Sequence, residues 1–269
     1  MNKKTLLPAG WPACQLSAIH PATMIPSDVE TIERATIAAV SPEALEELEG
    51  WLLPFDRGTV SRAKSAVPLR HKACDETVLD KIETRYEARG LPPIFRVATE
   101  PCFDLLRRAL KRRGYKTTRP VLVQVASVND MRAVSTQTPA ETAHSPDEAW
   151  AALFLGEGFD PVDGVSRVKT LSRARDSLYA SVRESGRTVA AGAAAFSNGW
   201  SSVHGMRTDQ ACRGRGLAGR VLAGLADAAI HRGIERTFLQ VEDGNAPALA
   251  LYRRAGFETA WCYEYWRRA

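Results

Sequence analysis

A chain of 269 residues with 45% hydrophobic and 25% charged content has the makings of one large core or two small ones, which excludes wholesale disorder. Its 36 Lys and Arg outnumber its 31 Asp and Glu to give +5, yet the two signs interleave along the chain, so no nucleic-acid partner is indicated. Cys14, Cys74, Cys102, Cys212 and Cys262 are odd in number, far apart and without a C-x-x-C pair. That pattern argues against a metal site or a disulfide framework and for a reducing cytoplasm.

At the start, Lys3 and Lys4 precede an apolar stretch interrupted by Pro8 and Pro12, too short for a secretory signal. No run approaches the ~18 apolar residues of a membrane helix, so no membrane partner is expected. Ser27 is expected to cap a helix over "DVETIERATIAAV". "GWLLPFDRGTVSRAKSAVPL" then reads as a hairpin turning near Arg57-Gly58, and Arg70, His71 and Lys72 as exposed basic residues in the loop beyond it. The densest basic cluster, "RRALKRRGY", lies on a helical pattern whose buried face is expected to be Leu105, Leu106, Ala109 and Leu110.

Two stretches repeat one another: residues 86–125 and 229–266. Each reads as a helix closed by Arg-Gly (Arg89-Gly90, Arg232-Gly233), a strand, a second helix ending in Gly and an aromatic (Gly114-Tyr115, Gly256-Phe257), and a last strand. A helix that turns into a strand commonly passes through a left-handed residue, which glycine adopts without strain. The chain therefore divides into halves at 1–135 and 145–269, with a linker at 136–144 within the Thr-, Ser- and Pro-rich "VSTQTPAETAHSP". The second half opens with Ser145 as a cap and Pro146 at the first helical position. Three strands follow, "SLYASVRE", "RTVAAGAAAF" and "WSSVHGMRT", joined by turns at Ser185-Gly186 and Asn198-Gly199.

"ACRGRGLAGRVL" contains G-x-G-x-x-G at Gly214, Gly216 and Gly219. A dinucleotide fingerprint needs its first glycine directly after a parallel strand at the start of a βαβ unit. Here "RTDQACR" intervenes, antiparallel hairpins lie upstream, and too few residues follow for a doubly wound domain, although Glu242 stands at a plausible distance. No G-x-x-x-x-G-K-[ST] occurs, so a P-loop is excluded. Read from Arg213, the same stretch is R-x-x-G-x-A opening a helix, whose free N-terminal amides and small residues suit a pyrophosphate.

With that parse the second half resembles the GNAT family of N-acetyltransferases, whose cofactor motif is Q/R-x-x-G-x-G/A. The resemblance covers about residues 145–269 and extends through "LQVEDGNAPALALYRRAGF". It implies an α/β (α+β) fold of two GNAT-like halves, each a mixed, mostly antiparallel sheet flanked by helices. It also implies transfer of an acetyl group from acetyl-CoA to a primary amine by direct attack. In the first half, R-x-x-G-x-A is missing, which makes that half a degenerate copy that covers or shapes the acceptor cleft.

Under the resemblance, Met206 and Thr208 pair with the pantetheine arm, Arg213, Gly214, Arg215, Gly216, Leu217 and Ala218 cradle the pyrophosphate, and Asn245 also contacts the cofactor. Tyr252 stands beside the sulfur as the acid that protonates the leaving thiolate. The Met206 amide is placed to stabilise the carbonyl oxygen. His204 and Glu242 are the candidate bases, and Cys212 is a bystander, because direct transfer needs no nucleophile. The expected partner is a small-molecule or peptide amine, and a homodimer is compatible with this reading. The other class that fits is an acyl-CoA-binding sensor without turnover.

Overall fold

The computed structural model describes residues 24–268; Cys14 and the interrupted N-terminal apolar stretch lie outside them. The first half begins with helix α1 (Pro26–Val40), a hairpin of β1 (Ala44–Leu48) and β2 (Trp51–Phe55), and a short β3 (Val67–Pro68). Then come α2 (Thr77–Glu87), β4 (Ile94–Ala98), α3 (Asp104–Arg112), β5 (Lys116–Thr117), β6 (Val121–Ser127) and α4 (Val128–Ala133). The second half continues with β7 (Glu141–Ala143), α5 (Glu148–Ala152), α6 (Pro161–Ser172), β8 (Ser177–Glu184), β9 (Arg187–Ser197) and β10 (Trp200–Thr208). It ends with α7 (Leu217–Ile230), β11 (Arg236–Glu242), α8 (Ala246–Arg254) and β12 (Glu258–Arg267).

The repeat is present as read: α2-β4-α3-β6 in the first half answers α7-β11-α8-β12 in the second, and Gly90, Gly114, Gly233 and Gly256 all take positive φ. The fold is the expected mixed, mostly antiparallel sheet flanked by helices. The two halves build it together, because nine strands form one sheet in the order β4-β12-β6-β11-β10-β9-β8-β7, with β5 beside β12. In this order β6 is inserted between β11 and β12, and β12 between β4 and β6. Each half thus gives its last strand to the other, and an approximate twofold relation runs between β6 and β12.

Burial follows this exchange. One core cluster joins Ile32 of α1, Phe95 of β4 and Leu110 of α3 to Val123 of β6 and Trp261 and Tyr263 of β12. On the other face, Val221, Leu222 and Leu225 of α7 pack with Leu122, Leu239 and Phe257. Arg96 and Glu33 are both fully buried and their charged groups lie 2.6 Å apart, tying α1 to β4, with the Arg96 guanidinium also 5.1 Å from the Tyr263 ring.

Several local expectations are corrected. Pro26, whose fixed φ suits a first helical position, starts α1 one residue before Ser27, and Asp28 takes the cap role by accepting from the Ile25 amide at 2.8 Å. Asp147 rather than Ser145 caps α5, accepting from the Trp150 amide at 2.8 Å. The first-half hairpin turns at Glu49-Gly50, both at positive φ, and Arg57-Gly58 belongs to the longer connection from β2 to β3. Leu105 is 70% exposed, because the stripe that faces the core on α3 is Leu106, Ala109 and Leu110 at i, i+3 and i+4. Three of the basic residues on that helix and its C-cap are paired: Arg107 with Asp104, Arg112 with Glu76 and Arg113 with Asp80. His71 is packed, edge-on to Phe103 and Trp261 and 2.8 Å from Glu100. The expected linker region is docked, with β7 on β8 and the Ala140 amide bonded to the Arg220 carbonyl.

Candidate active site

The site begins where two strands part. β10 and β11 are parallel neighbours only from Ser201 to Val203 against Thr237 to Leu239. Beyond that point β10 carries an irregularity between His204 and Arg207, around Gly205 at φ +60°, and continues to Thr208 paired with β9 alone. Among the described residues, the edge of β10 that faces the gap has no strand partner from His204 onward, which leaves that backbone edge available to a ligand.

Two cavities open into this fork. The outer one, about 660 Å³, is lined by Met206, Arg207, Thr208, Cys212, Arg213, Gly214, Gly216, Leu217 and Ala218 on one side, with Asn245, Ala248, Leu251 and Tyr252 of the α8 segment on the other. Gly216 is the N-cap of α7 at φ +76°, and Gly214 stands at φ +77° with open space around it. The left-handed glycines stand at the positive end of a 14-residue helix that opens on the groove, and a helix N-terminus of this kind suits phosphate. Gly219 faces Ser135, 3.5 Å from where a Cβ would sit, and serves close packing.

The inner cavity, about 390 Å³, is lined by residues of both halves. The first half supplies Thr59 to Arg62 and Val121; the second supplies Arg167, His204, Arg207, Gln240, Glu242, Tyr263 and Tyr265. The 56–62 segment forms its roof and is pinned to α6. Thr59 donates from its hydroxyl to Asp163 and from its amide to Ser166, each at 2.8 Å, and Arg173 reaches Asp56 at 2.5 Å. Gly58 permits this approach, since a Cβ there would meet Asp56 Oδ1 at 2.7 Å and Ser166 Oγ at 2.8 Å. Behind the roof, Arg62 Nη1 donates to Gln240 Oε1 at 3.2 Å, and the Tyr263 hydroxyl donates to the same oxygen at 2.9 Å.

Met206, Arg207, Asn245 and Tyr252 line both cavities and mark their junction. Tyr252 is held by α8 edge-on to Phe257, and burial pushes its phenol up to about 12. It therefore stays protonated across the neutral range. Asn245 caps α8, accepting from the Ala248 amide at 3.3 Å, which leaves its NH2 group free to donate. His204 is buried with no hydrogen-bond partner for either ring nitrogen among the described residues. Burial, helped by Arg62, pushes its imidazole down to about 3, so it is neutral and a weak base at pH 7. Glu242 is exposed at the end of β11 and lines the inner cavity.

Of the residues expected from the sequence, Arg215 alone does not reach either cavity. Its guanidinium makes two bonds to Glu184 at 3.1 and 2.6 Å on the surface, because the side chain at that position points back toward β8. Sequence reasoning missed Arg62, Arg167, Arg207, Gln240, Tyr263 and Tyr265. Arg207 lay within a motif strand, and the others carry no local signal, since they meet only through the shared sheet.

The sequence matches, over residues 26–266, the family described as "Probable histone acetyltransferase Rv0428c C-terminal". It is 48% identical over 67 residues to a mycothiol acetyltransferase of Clavibacter michiganensis, a match that covers 25% of this chain and 21% of that protein's length. It is 23% identical over 235 residues to the uncharacterized N-acetyltransferase YobR of Bacillus subtilis, covering 86% of this chain and 94% of that one. A GCN5-related N-acetyltransferase from Kribbella flavida has the same fold, with a TM-score of 0.67 at 16% identity over 89% of this chain and 95% of the other. With the parted strands, the left-handed glycines before α7 and a family match that spans both halves, the chain belongs to this family of GNAT acetyltransferases.

Proposed function

We propose that the protein transfers an acetyl group from acetyl-CoA, seated in the outer groove, to a primary amine in the inner cavity. The observation that carries this reading is the junction, where Met206, Arg207, Asn245 and Tyr252 face both compartments. The groove fits the donor: left-handed Gly214 and Gly216 form its wall, with open space around Gly214, and Ala218 continues the small-residue wall. When bound, acetyl-CoA supplies the acyl group: the amine nitrogen bonds to its carbonyl carbon, the C–S bond breaks, and the sulfur leaves with the electron pair.

The chain's own groups manage the charge and the protons. Free amides of β10 near Met206 hydrogen-bond the carbonyl oxygen as negative charge gathers there. The Tyr252 hydroxyl donates its proton to the departing sulfur. Glu242 accepts the proton released by the amine, directly or through water, while neutral His204 offers a hydrogen bond and no net charge. The roof at 56–62 makes the first half part of the acceptor wall. Thermal shift with CoA, acetyl-CoA and NAD, followed by thiol release with a panel of amines, tests this. CoA-dependent stabilisation with amine-dependent thiol release is expected; stabilisation without release by any amine points to a sensor, and stabilisation by NAD alone overturns the reading.

A further inference from the structure

The walls of the inner cavity are unevenly charged. Three guanidinium groups, Arg62, Arg167 and Arg207, line it against one carboxylate, Glu242. Behind the wall a single acidic group, Asp163, serves two of the three, lying 2.5 Å from Arg167 Nε and 3.8 Å from Arg207. Arg62 has no carboxylate within ion-pair distance among the described residues; its hydrogen bond goes to the neutral amide of Gln240, and its Nε is buried without a partner. Cations held in a partly desolvated wall with too few anions are costly, and a ligand anion removes that cost. Arginine is suited to the task, since its planar fork matches carboxylate and phosphate oxygens.

A second, independent feature points the same way. His204 is 4% exposed, lines the same cavity, and among the described residues has no hydrogen-bond partner for either ring nitrogen. A buried neutral imidazole in that state is a donor and an acceptor left for a bound molecule.

We propose that the acceptor amine also carries an anionic oxygen group, a carboxylate or a phosphate, which Arg62 and Arg167 hold on the wall formed by the roof segment and α6. This rests on the acetyltransferase reading for the amine and on the charge of the cavity for the anion. Arg207, which faces both compartments, screens the two anions from one another. The ammonium end is left to Glu242 and Tyr252. A polyamine, or a lysine within a basic peptide, would bring further positive charge to a wall that already has an excess.

The test is calorimetric titration of the CoA-loaded protein with reaction products in matched pairs. N-acetyl amino acids are compared with their carboxamides, N-acetyl phosphoethanolamine with N-acetyl ethanolamine, and an acetyl-lysine basic peptide is included. The anionic member is expected to bind at least about tenfold more tightly, which corresponds to about 1.4 kcal/mol. The carboxylate and phosphate arms show which anion the wall prefers. Arg62→Gln and Arg167→Gln should each reduce that ratio toward one while leaving CoA affinity unchanged. Equal or tighter binding of the neutral members, preference for the basic peptide, or no binding by any member overturns the proposal. A ratio that survives both substitutions also overturns it. Thiol release is measured separately on the same amines; its absence with anion binding intact would sink the transfer reading and leave the anion site standing.

Discussion

Arg62 of the first half donates to Gln240 of the second across 178 residues of sequence, and the same Gln240 oxygen accepts from Tyr263. The roof of the inner cavity is thereby bonded to two strands of the shared sheet. Under the proposed reaction, the contacts that join the halves also shape the wall that would meet the acceptor.

Tyr252→Phe removes the proposed proton donor from the junction while keeping the ring against Phe257. We expect kcat to fall by about 10² to 10⁴, with the KM for acetyl-CoA little changed. Because the phenol is raised to about 12, it stays protonated from pH 6 to 10, and no alkaline loss of activity in that range should be traceable to it. Steady-state rates for both proteins across that pH range check both points.

Ala218→Glu sets a carboxylate in the first turn of α7, on the wall of the outer groove, without disturbing a left-handed glycine. Repulsion of phosphate should abolish the stabilisation by CoA, which for the unmodified protein is about 2.7 kcal/mol at a hundredfold excess over Kd. The melting temperature without CoA should change little. Retained CoA stabilisation would place the pyrophosphate elsewhere.

His204 gives the fold an acid sensitivity with a definite sign. Its folded value of about 3 lies below the ordinary 6.5, so the unfolded chain binds the proton more readily and stability present above pH 6.5 is lost as pH falls toward 3. Between pH 7 and pH 5 the natural protein should lose about 2 kcal/mol more than His204→Gln. Urea unfolding of both at the two pH values measures the difference, and equal losses would show that His204 titrates normally.

Glu33 is the buried partner of Arg96. Glu33→Ala strands a cation inside the core beneath α1 and should cost about 3 to 5 kcal/mol. Replacing both residues, as Glu33→Ala with Arg96→Met, should recover part of that loss. Chemical denaturation of the single and double variants decides it.

Residues 145–269 alone lack β6, which leaves unpaired edges on both β11 and β12. That fragment should aggregate or stay unfolded when made by itself, and become soluble when residues 24–144 are supplied with it. Gel filtration and circular dichroism of the fragment and of the mixture report the outcome.

What the sequence determined is local and periodic. The Gly-terminated helices of the repeat, the hairpin turns at Ser185-Gly186 and Asn198-Gly199, and the left-handed Gly214 and Gly216 before α7 follow from backbone chemistry that neighbouring residues set. The cap that Asn245 forms at the start of α8 is local in the same sense, since its side chain accepts from the Ala248 amide three residues on. What only the tertiary structure decided is long-range. The exchange of β6 and β12 is a pairing choice between strands with similar patterns, and nothing in either strand names its partner. The wall of the inner cavity follows from that exchange, because Arg62, Arg167, Gln240 and Tyr263 come from four separate elements and acquire a common charge and hydrogen-bond environment only when the shared sheet brings them to one cavity.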